Sequence, residues 1–245
     1  MGFSLELYTY LVHCNTITPY GSIAANSTAP SDTSFLSLDD MASFPTFGAL
    51  FAGSHDLYFL IPEISVLGAR RLAEEASGSA APSDALKHTH ENLYGRLKSW
   101  HLPPPRPGES ADEWDARRLA GNALREAMHI FLATAMAGSV VSDPEVLAAI
   151  AVHIVKVFID VPQLMASNLT AAMLWPVVIA GSCIVEKGNR EILIRETRSP
   201  WWGMKHLNLV GDVLQLLWDD PDPRAYGPYG LSLIMEKHGV RISIA

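Results

Sequence analysis

The chain has 245 residues, of which 49% are hydrophobic and only 18% are charged, and its net charge is −8. This length supports one large domain with a core of its own, and the composition argues against a disordered chain. An acidic chain repels polyphosphate, so we expect no direct nucleic-acid contact by this polypeptide. Two cysteines, Cys14 and Cys183, are too few for an all-thiolate zinc or iron–sulfur site.

Neither a secretion signal nor a membrane span is predicted. The first residues lack the basic start of a signal peptide, so we expect a protein that is not secreted. The uncharged stretch 169–185 is short for a transmembrane helix and is interrupted by Pro176 and Gly181. We therefore expect a buried core helix there and no membrane contact.

The N-terminal half reads as helices separated by polar or small-residue breaks. Residues 5–12 form a short apolar start, and residues 16–43 are rich in Ser, Thr, Asn, Asp, Ala and Pro, which indicates a long loop and a candidate for mobility. Ser54 is the expected N-cap of the next helix, which we expect to kink at Pro62. A further amphipathic helix is predicted over 84–100.

The chain divides at two places on composition. Residues 1–47 are predicted to form an N-terminal helix and loop, and residues 48–245 one helical domain. The Pro-rich stretch 102–108 cannot be helical and is the stiffest linker in the chain. We place it inside the domain, because the part before it has too little apolar sequence for a core of its own.

The C-terminal half is the more hydrophobic. Asp143-Pro144 is a typical helix start, with Pro at the first helical position. The helices beginning there and at residue 169 are apolar nearly all round, which is typical of central helices. The sequence thus predicts an all-α fold, a multi-helix bundle with buried central helices and a long N-terminal loop. Its predicted C-terminal helices cover 113–136, 144–161, 169–185, 189–196, 206–218 and 225–236.

The strongest candidate for chemistry is the pair Glu126 and His129. Residues at i and i+3 share one face of a helix, as in carboxylate-bridged di-metal bundles, but no convincing second pair follows. We therefore expect no metal and no cofactor. Three interpretations remain for the pair: a surface ion pair, a polar pair buried in the bundle, or a general acid–base pair.

Other candidates for ligand binding lie on or beside the most apolar helices. Arg125 suits an acidic ligand group, although a solvated or locally paired surface charge is the more common explanation. His153 stands alone on an apolar helix, which is also typical of a histidine satisfied within the core. Trp201-Trp202 follow a turn and fit an interface, a pocket mouth or burial. The predicted ligand-binding residues are Arg125, Met128, His129, His153, Met173 and Trp175, and simple core packing is the alternative for the Met and Trp side chains.

Several segments, in the right order, resemble one known family. The stretch L-W-P-V-V-I-A-G at 174–181, followed by the charged residues 186–190, is similar to a helix of the fungal-specific transcription factor domain. Residues 125–132, ahead of Asp143-Pro144, resemble the helix that precedes that family's central Asp-Pro turn.

The resemblance extends over residues 48–238, because 53–64 are similar to an early helix of the family and 216–218 to a late helix ending in Trp. It implies a helical ligand-sensing or partner-binding domain of a regulator, located in the nucleus or the cytoplasm. Ser182 stands where the family often has Cys, and Cys183 follows one position later. The six-cysteine zinc cluster with which the family reads DNA is not in this sequence.

Three functions are consistent with these features. The first is a regulatory domain that binds an apolar small molecule or a protein partner, in a pocket bounded by Met128, His129, Met173 and Trp175. The second is a repurposed cofactor-independent isomerase, cyclase or lyase of fungal secondary metabolism that uses Glu126 or His129 as acid or base. The third is a purely structural interaction domain. A homodimer is compatible with all three.

Overall fold

The computed structural model describes residues 2–17, 51, 53–164, 167, 169–198 and 207–243. Within these ranges the chain is all-α, as the sequence predicts, and its helices share one hydrophobic core. Three short 3₁₀ turns, at Asn15–Ile17, Val161–Leu164 and Thr170–Met173, connect some of them. The α-helices are α1 (Gly2–Cys14), α2 (His55–Tyr58), α3 (Leu60–Ala76), α4 (Asp84–Ser99), α5 (Ala111–Ala137), α6 (Pro144–Asp160), α7 (Leu174–Ser182), α8 (Lys187–Thr197), α9 (Leu207–Asp219) and α10 (Gly227–His238).

Helix α5 is the longest and packs against α3, α4, α6 and α7. A capping box fixes its start: the Ser110 hydroxyl accepts a hydrogen bond from the Glu113 amide, and the Glu113 carboxylate accepts one from the Ser110 amide. This box satisfies two amides that would otherwise lack partners at the helix start. Apolar periodicity predicted the start of α5 two residues later, because periodicity does not mark the polar residues of a capping box.

Helix α7 is buried along its whole length, which confirms the prediction of a core helix in this segment. It is shorter than predicted, because residues 170–173 form a 3₁₀ turn before it. Pro176 lies in its first turn, where a missing amide hydrogen costs nothing. Gly181 lets α8 approach, since a Cβ at this position would lie 2.7 Å from Leu193. The L-W-P-V-V-I-A-G motif therefore encodes a central helix with a close helix contact at its end.

Helix α6 is not central, and the prediction from its all-round apolarity was wrong. Only Ile150 and Val157 of this helix are buried, and both lie on its side toward α5. The side chains of Val152, Val155 and Ile159 are 56%, 57% and 58% exposed. The extra apolar residues face a groove and the surface beside it instead of a second helix layer.

The predicted helix from Ser54 is interrupted at Phe59, three residues before Pro62, and Phe59 itself keeps helical dihedral angles. Helix α2 ends at Tyr58 and α3 begins at Leu60, so Pro62 lies in the first turn of a new helix. In a continuous helix, Pro62 would have no amide hydrogen to donate to the carbonyl of residue 58, and its ring would clash with that carbonyl. Ser54 does occupy the N-cap position, but its side chain makes no capping bond.

The Pro-rich linker is fixed to α5 by Arg117. This side chain is 5% exposed and donates hydrogen bonds to Glu109, at 2.6 and 2.9 Å, and to the Pro104 carbonyl at 3.3 Å. Its guanidinium also lies over the Trp114 ring, 5.1 Å from the ring centre. The stiff segment is therefore part of the surface of the bundle.

Helix α1 packs against α2 and α3. Its inner face is buried, including the carboxylate of Glu6, which accepts a hydrogen bond of 2.9 Å from the Phe51 amide. Tyr10 contacts Tyr58 edge to face, with ring centres 5.4 Å apart. The predicted long loop at 16–43 lies outside the described residues, apart from its first two positions, and so does the Trp201-Trp202 pair.

Candidate functional site

A cluster of polar side chains joins α5 to α6. Glu126, 4% exposed, lies 2.5 Å from His153 Nδ1 and 3.2 Å from Lys156 Nζ, both on α6. Arg125 approaches the other carboxylate oxygen at 3.4 Å. The His129 ring stacks on the His153 ring, with centres 4.7 Å apart and planes 13° apart. These five residues are called the Glu126 cluster below.

Electrostatics in the Glu126 cluster favour a permanent ion pair. Burial alone would raise the pKa of Glu126, but hydrogen bonds from His153 and Lys156 and their positive charges outweigh burial and hold that pKa at about 2. Burial, followed by the charge of His153, lowers the pKa of His129 to about 4. At neutral pH Glu126 is therefore ionised and His129 is uncharged.

The pairing within the Glu126 cluster differs from the sequence prediction. Glu126 and His129 share a helix face, as expected, but Glu126 bonds to His153 of the next helix. His129 contacts the rings of Tyr94 and His153. A carboxylate with a pKa of about 2 is a weak base at neutral pH, and the geometry is that of an ion pair between two helices. An acid–base role for Glu126 or His129 stays a prediction. His153 is partly exposed and is not a core histidine.

Three predicted ligand-binding side chains lie in the core. Met128 and Trp175 are 0% exposed and Met173 is 2% exposed. The Trp175 ring meets Phe131 edge to face at 5.8 Å, and its indole N–H has no hydrogen-bond partner among the described residues. Neither of the two cavities described next is lined by these residues or by the Glu126 cluster. Their role in ligand binding stays a prediction.

The larger of two cavities is a groove between α6 and α8, with a volume of about 880 Å³. Its walls are the outer face of α6 and the inner face of α8, and its floor is formed by the end of α7 and the residues after it. We call it the α6–α8 groove. Its lining residues are Leu147, Ala151, Ile154, Val155, Phe158, Ile159, Val161, Pro162, Val177, Cys183, Ile184, Val185, Glu186, Asn189, Ile192, Leu193, Glu196 and Tyr226.

The floor of the α6–α8 groove is polar but uncharged. Cys183 and Tyr226 meet there in a hydrogen bond. Burial raises the pKa of the Cys183 thiol to about 12 and also raises the pKa of Tyr226, so both groups are neutral at physiological pH. Tyr226 also lines a second cavity of about 150 Å³, next to Ile17 and between α3, α5 and α10.

The sequence carried one signal for the groove that the motif analysis missed. Helix α6 is apolar on more sides than packing against α5 requires. Such an excess indicates either a central position in the bundle or a helix that lines an apolar cleft. The sequence prediction named only the central position.

Within the described ranges, no group of three His, Cys, Asp or Glu residues is placed to hold a metal ion. The described helices also include none that is long and apolar enough to cross a membrane.

The family model of the fungal specific transcription factor domain matches residues 5–223. The chain belongs to this family. No curated protein and no solved structure matches it. The fungal transcription factor domain is a regulatory domain of fungal transcription factors, and this chain shares that assignment.

The family match refines the resemblance seen in the sequence. The match begins at residue 5, within α1, whereas the motifs indicated a start at residue 48. It ends at residue 223, ahead of α10 and of Tyr226. All of α6, α7 and α8, the helices that form the groove, lie within the match.

Proposed function

We propose that this domain senses an apolar small molecule and that the α6–α8 groove is the binding site. One observation carries the proposal: an apolar groove of about 880 Å³ lies within the regulatory domain. Binding sites for small molecules in proteins are typically apolar clefts of about 300–1,000 Å³ with a few polar groups.

The composition of the groove supports a ligand in preference to simple surface. Exposed apolar side chains are normal when they are isolated, but contiguous apolar patches mark sites of interaction. Here Val155 and Ile159 of α6 face Ile192 of α8 across the opening, and all three are exposed. An occupant would remove this apolar surface from water.

The proposal also covers location and DNA contact. As a regulatory domain, this chain is placed in the nucleus or the cytoplasm. We expect no DNA contact by these residues, because they are acidic overall and hold only two cysteines. A protein partner or a second copy of the chain is the alternative occupant of the groove.

The test is a binding titration with Nile red, a neutral apolar dye whose fluorescence rises in apolar sites. The variant Ala151→Trp fills the groove from an exposed position on α6, so it should leave stability unchanged. Ala149→Trp is the matched control, since Ala149 is also exposed on α6 but does not line the groove. We expect Ala151→Trp to weaken binding about tenfold or more and Ala149→Trp to leave it unchanged.

Two results would contradict the proposal. One is the absence of saturable dye binding to the wild-type protein. The other is equal binding by the wild type and Ala151→Trp, which would place the dye elsewhere.

A further inference from the structure

The charged residues that line the α6–α8 groove all have one sign. Glu186 and Glu196 stand at its rim, and both are exposed. Its described lining includes no Lys, Arg or His. Since Cys183 and Tyr226 on the floor are neutral, the only full charges on the lining are these two carboxylates.

Arg190, Arg195 and Lys156, on the helices that wall the groove, have other partners and do not line it. Arg190 donates to the Ile184 carbonyl at 2.8 Å and lies over the Trp218 ring, while Lys156 bonds to Glu126. Arg195 lies 3.6 Å from Glu196, where it compensates part of that charge. Glu186 accepts a hydrogen bond of 2.9 Å from the neutral Asn189 amide, and the next residue, Lys187, lies 3.9 Å from Glu191.

The two carboxylates lie at opposite ends of the groove. Glu186 and Glu196 are both on α8 or at its cap, so at about 1.5 Å per residue they are about 15 Å apart along the helix axis. The apolar lining lies between them and includes Ile154 and Phe158 of α6 and Ile192 of α8. The groove is thus elongated, apolar in the middle and acidic at its ends.

We propose that the ligand is an elongated amphipathic cation, with an apolar body between α6 and α8 and an ammonium group at the rim beside Glu186. This inference rests on the proposed function and specifies the class of small molecule. An anionic ligand of the same shape meets two carboxylates and no lining cation. A neutral ligand gains the apolar contacts alone.

The experiment compares three compounds with the same eight-carbon chain. Octylammonium, octanesulfonate and octanol each compete with Nile red for the wild-type protein. We expect octylammonium to displace the dye at a concentration at least about threefold lower than octanesulfonate, the size of effect that exposed ion pairs give. High salt should reduce this difference, because exposed charges are screened.

Variants locate the preference. Glu186→Gln with Glu196→Gln should make the three compounds nearly equal, with Glu186→Gln alone accounting for most of the change. Glu191→Gln is the matched control: this carboxylate is exposed on α8, pairs with Lys187 at 3.9 Å and does not line the groove. It should leave the preference for octylammonium intact, although it changes the net charge by the same amount.

Failure of this inference is distinct from failure of the proposed function. If Nile red binds and Ala151→Trp blocks it, but octanesulfonate or octanol competes as well as octylammonium, the groove is a binding site and the cation assignment is wrong. A cation preference that Glu191→Gln removes as effectively as Glu186→Gln also overturns the assignment, because it then reflects the net charge of the chain. If Nile red does not bind at all, the proposed function fails first.

Discussion

One buried carboxylate, that of Glu126, connects α5 to α6. Glu126 receives hydrogen bonds from His153 and Lys156 of α6, while Arg125 contacts its second oxygen from the same helix. An ionised group that is buried and bonded in this way stabilises the folded state only while its partners are present. The strength of the contact therefore depends on both charge and pH.

Replacing Glu126 with Gln should lower the free energy of unfolding by about 2–3 kcal/mol at pH 7. The folded state lowers the pKa of Glu126 from 4.5 to about 2, so its stabilisation is complete above about pH 5 and is lost as the pH falls toward 2. Urea unfolding at several pH values measures the effect. The difference between wild type and Glu126→Gln should shrink over that window.

Glu236→Gln is the control for this prediction, because Glu236 is exposed on α10 and its removal should change stability by less than about 0.5 kcal/mol. A difference between wild type and Glu126→Gln that stays constant from pH 7 to pH 2 would show that the carboxylate charge is not the source of the stability.

At the residue scale, sequence reasoning found the members of the Glu126 cluster but not their pairing. The i, i+3 spacing correctly put Glu126 and His129 on one face. The partner of Glu126 could not be read from spacing, because His153 is on another helix and its position depends on how α5 and α6 pack. The prediction that Met128, Met173 and Trp175 form a pocket with His129 was open for a different reason. Met and Trp side chains line pockets and also fill cores, and the sequence alone does not distinguish the two.

Among the elements, the linker at 102–108 shows how a segment without helical structure is still fixed in place. Arg117 holds it through Glu109 and the Pro104 carbonyl, and this cation is itself buried. Composition predicted that the segment is stiff and not helical. It could not predict the attachment to α5, which depends on a buried ion pair between residues eight positions apart.

We expect Arg117→Met to release the linker, since the variant keeps an apolar side chain against Trp114 but loses every hydrogen bond to the linker. The glutamate-specific protease Glu-C should then cut after Glu109 faster than in the wild type, and the urea midpoint should fall. Arg118→Met is the matched control, because Arg118 is exposed and pairs only locally with Asp115 at 3.2 Å. Equal cleavage of the two variants would show that Arg117 does not hold the linker.

Helix α6 shows where element-level reasoning from periodicity fails. An all-round apolar helix is usually buried, and that rule was right for α7 and wrong for α6. The difference is set by what lies across from the helix. Helix α7 has neighbours on every side, whereas one face of α6 looks across the groove to α8. Local sequence holds no information on that separation.

For the whole molecule, the main question is whether α1 folds with the rest. The sequence division at residues 47 and 48 predicts a separate N-terminal segment. In the structure Cys14 and Tyr10 of α1 are buried in the same hydrophobic core as α5 and α7. The core thus links the first described residues to the last helices.

Alkylation of the two cysteines tests this unity. Cys14 and Cys183 are both buried, and burial raises the pKa of each thiol, so neither should react in the folded protein. We expect iodoacetamide to label both thiols only on global unfolding, with the same dependence on urea, as read by mass spectrometry of the two peptides. Labelling of Cys14 well below the unfolding midpoint, with Cys183 still protected, would instead support the division at residue 47.

The position of Tyr226 makes its ring a shared wall between two cavities. It lines both the α6–α8 groove and the smaller cavity beside Ile17. Any occupant that pushes this ring aside enlarges one space at the expense of the other, so the free energies of filling them cannot be independent. By thermodynamic reciprocity, an occupant of the small cavity that moves the ring changes affinity in the groove by the same factor as the reverse. In that case one phenol ring couples the 3₁₀ turn Asn15–Ile17 to the α6–α8 groove.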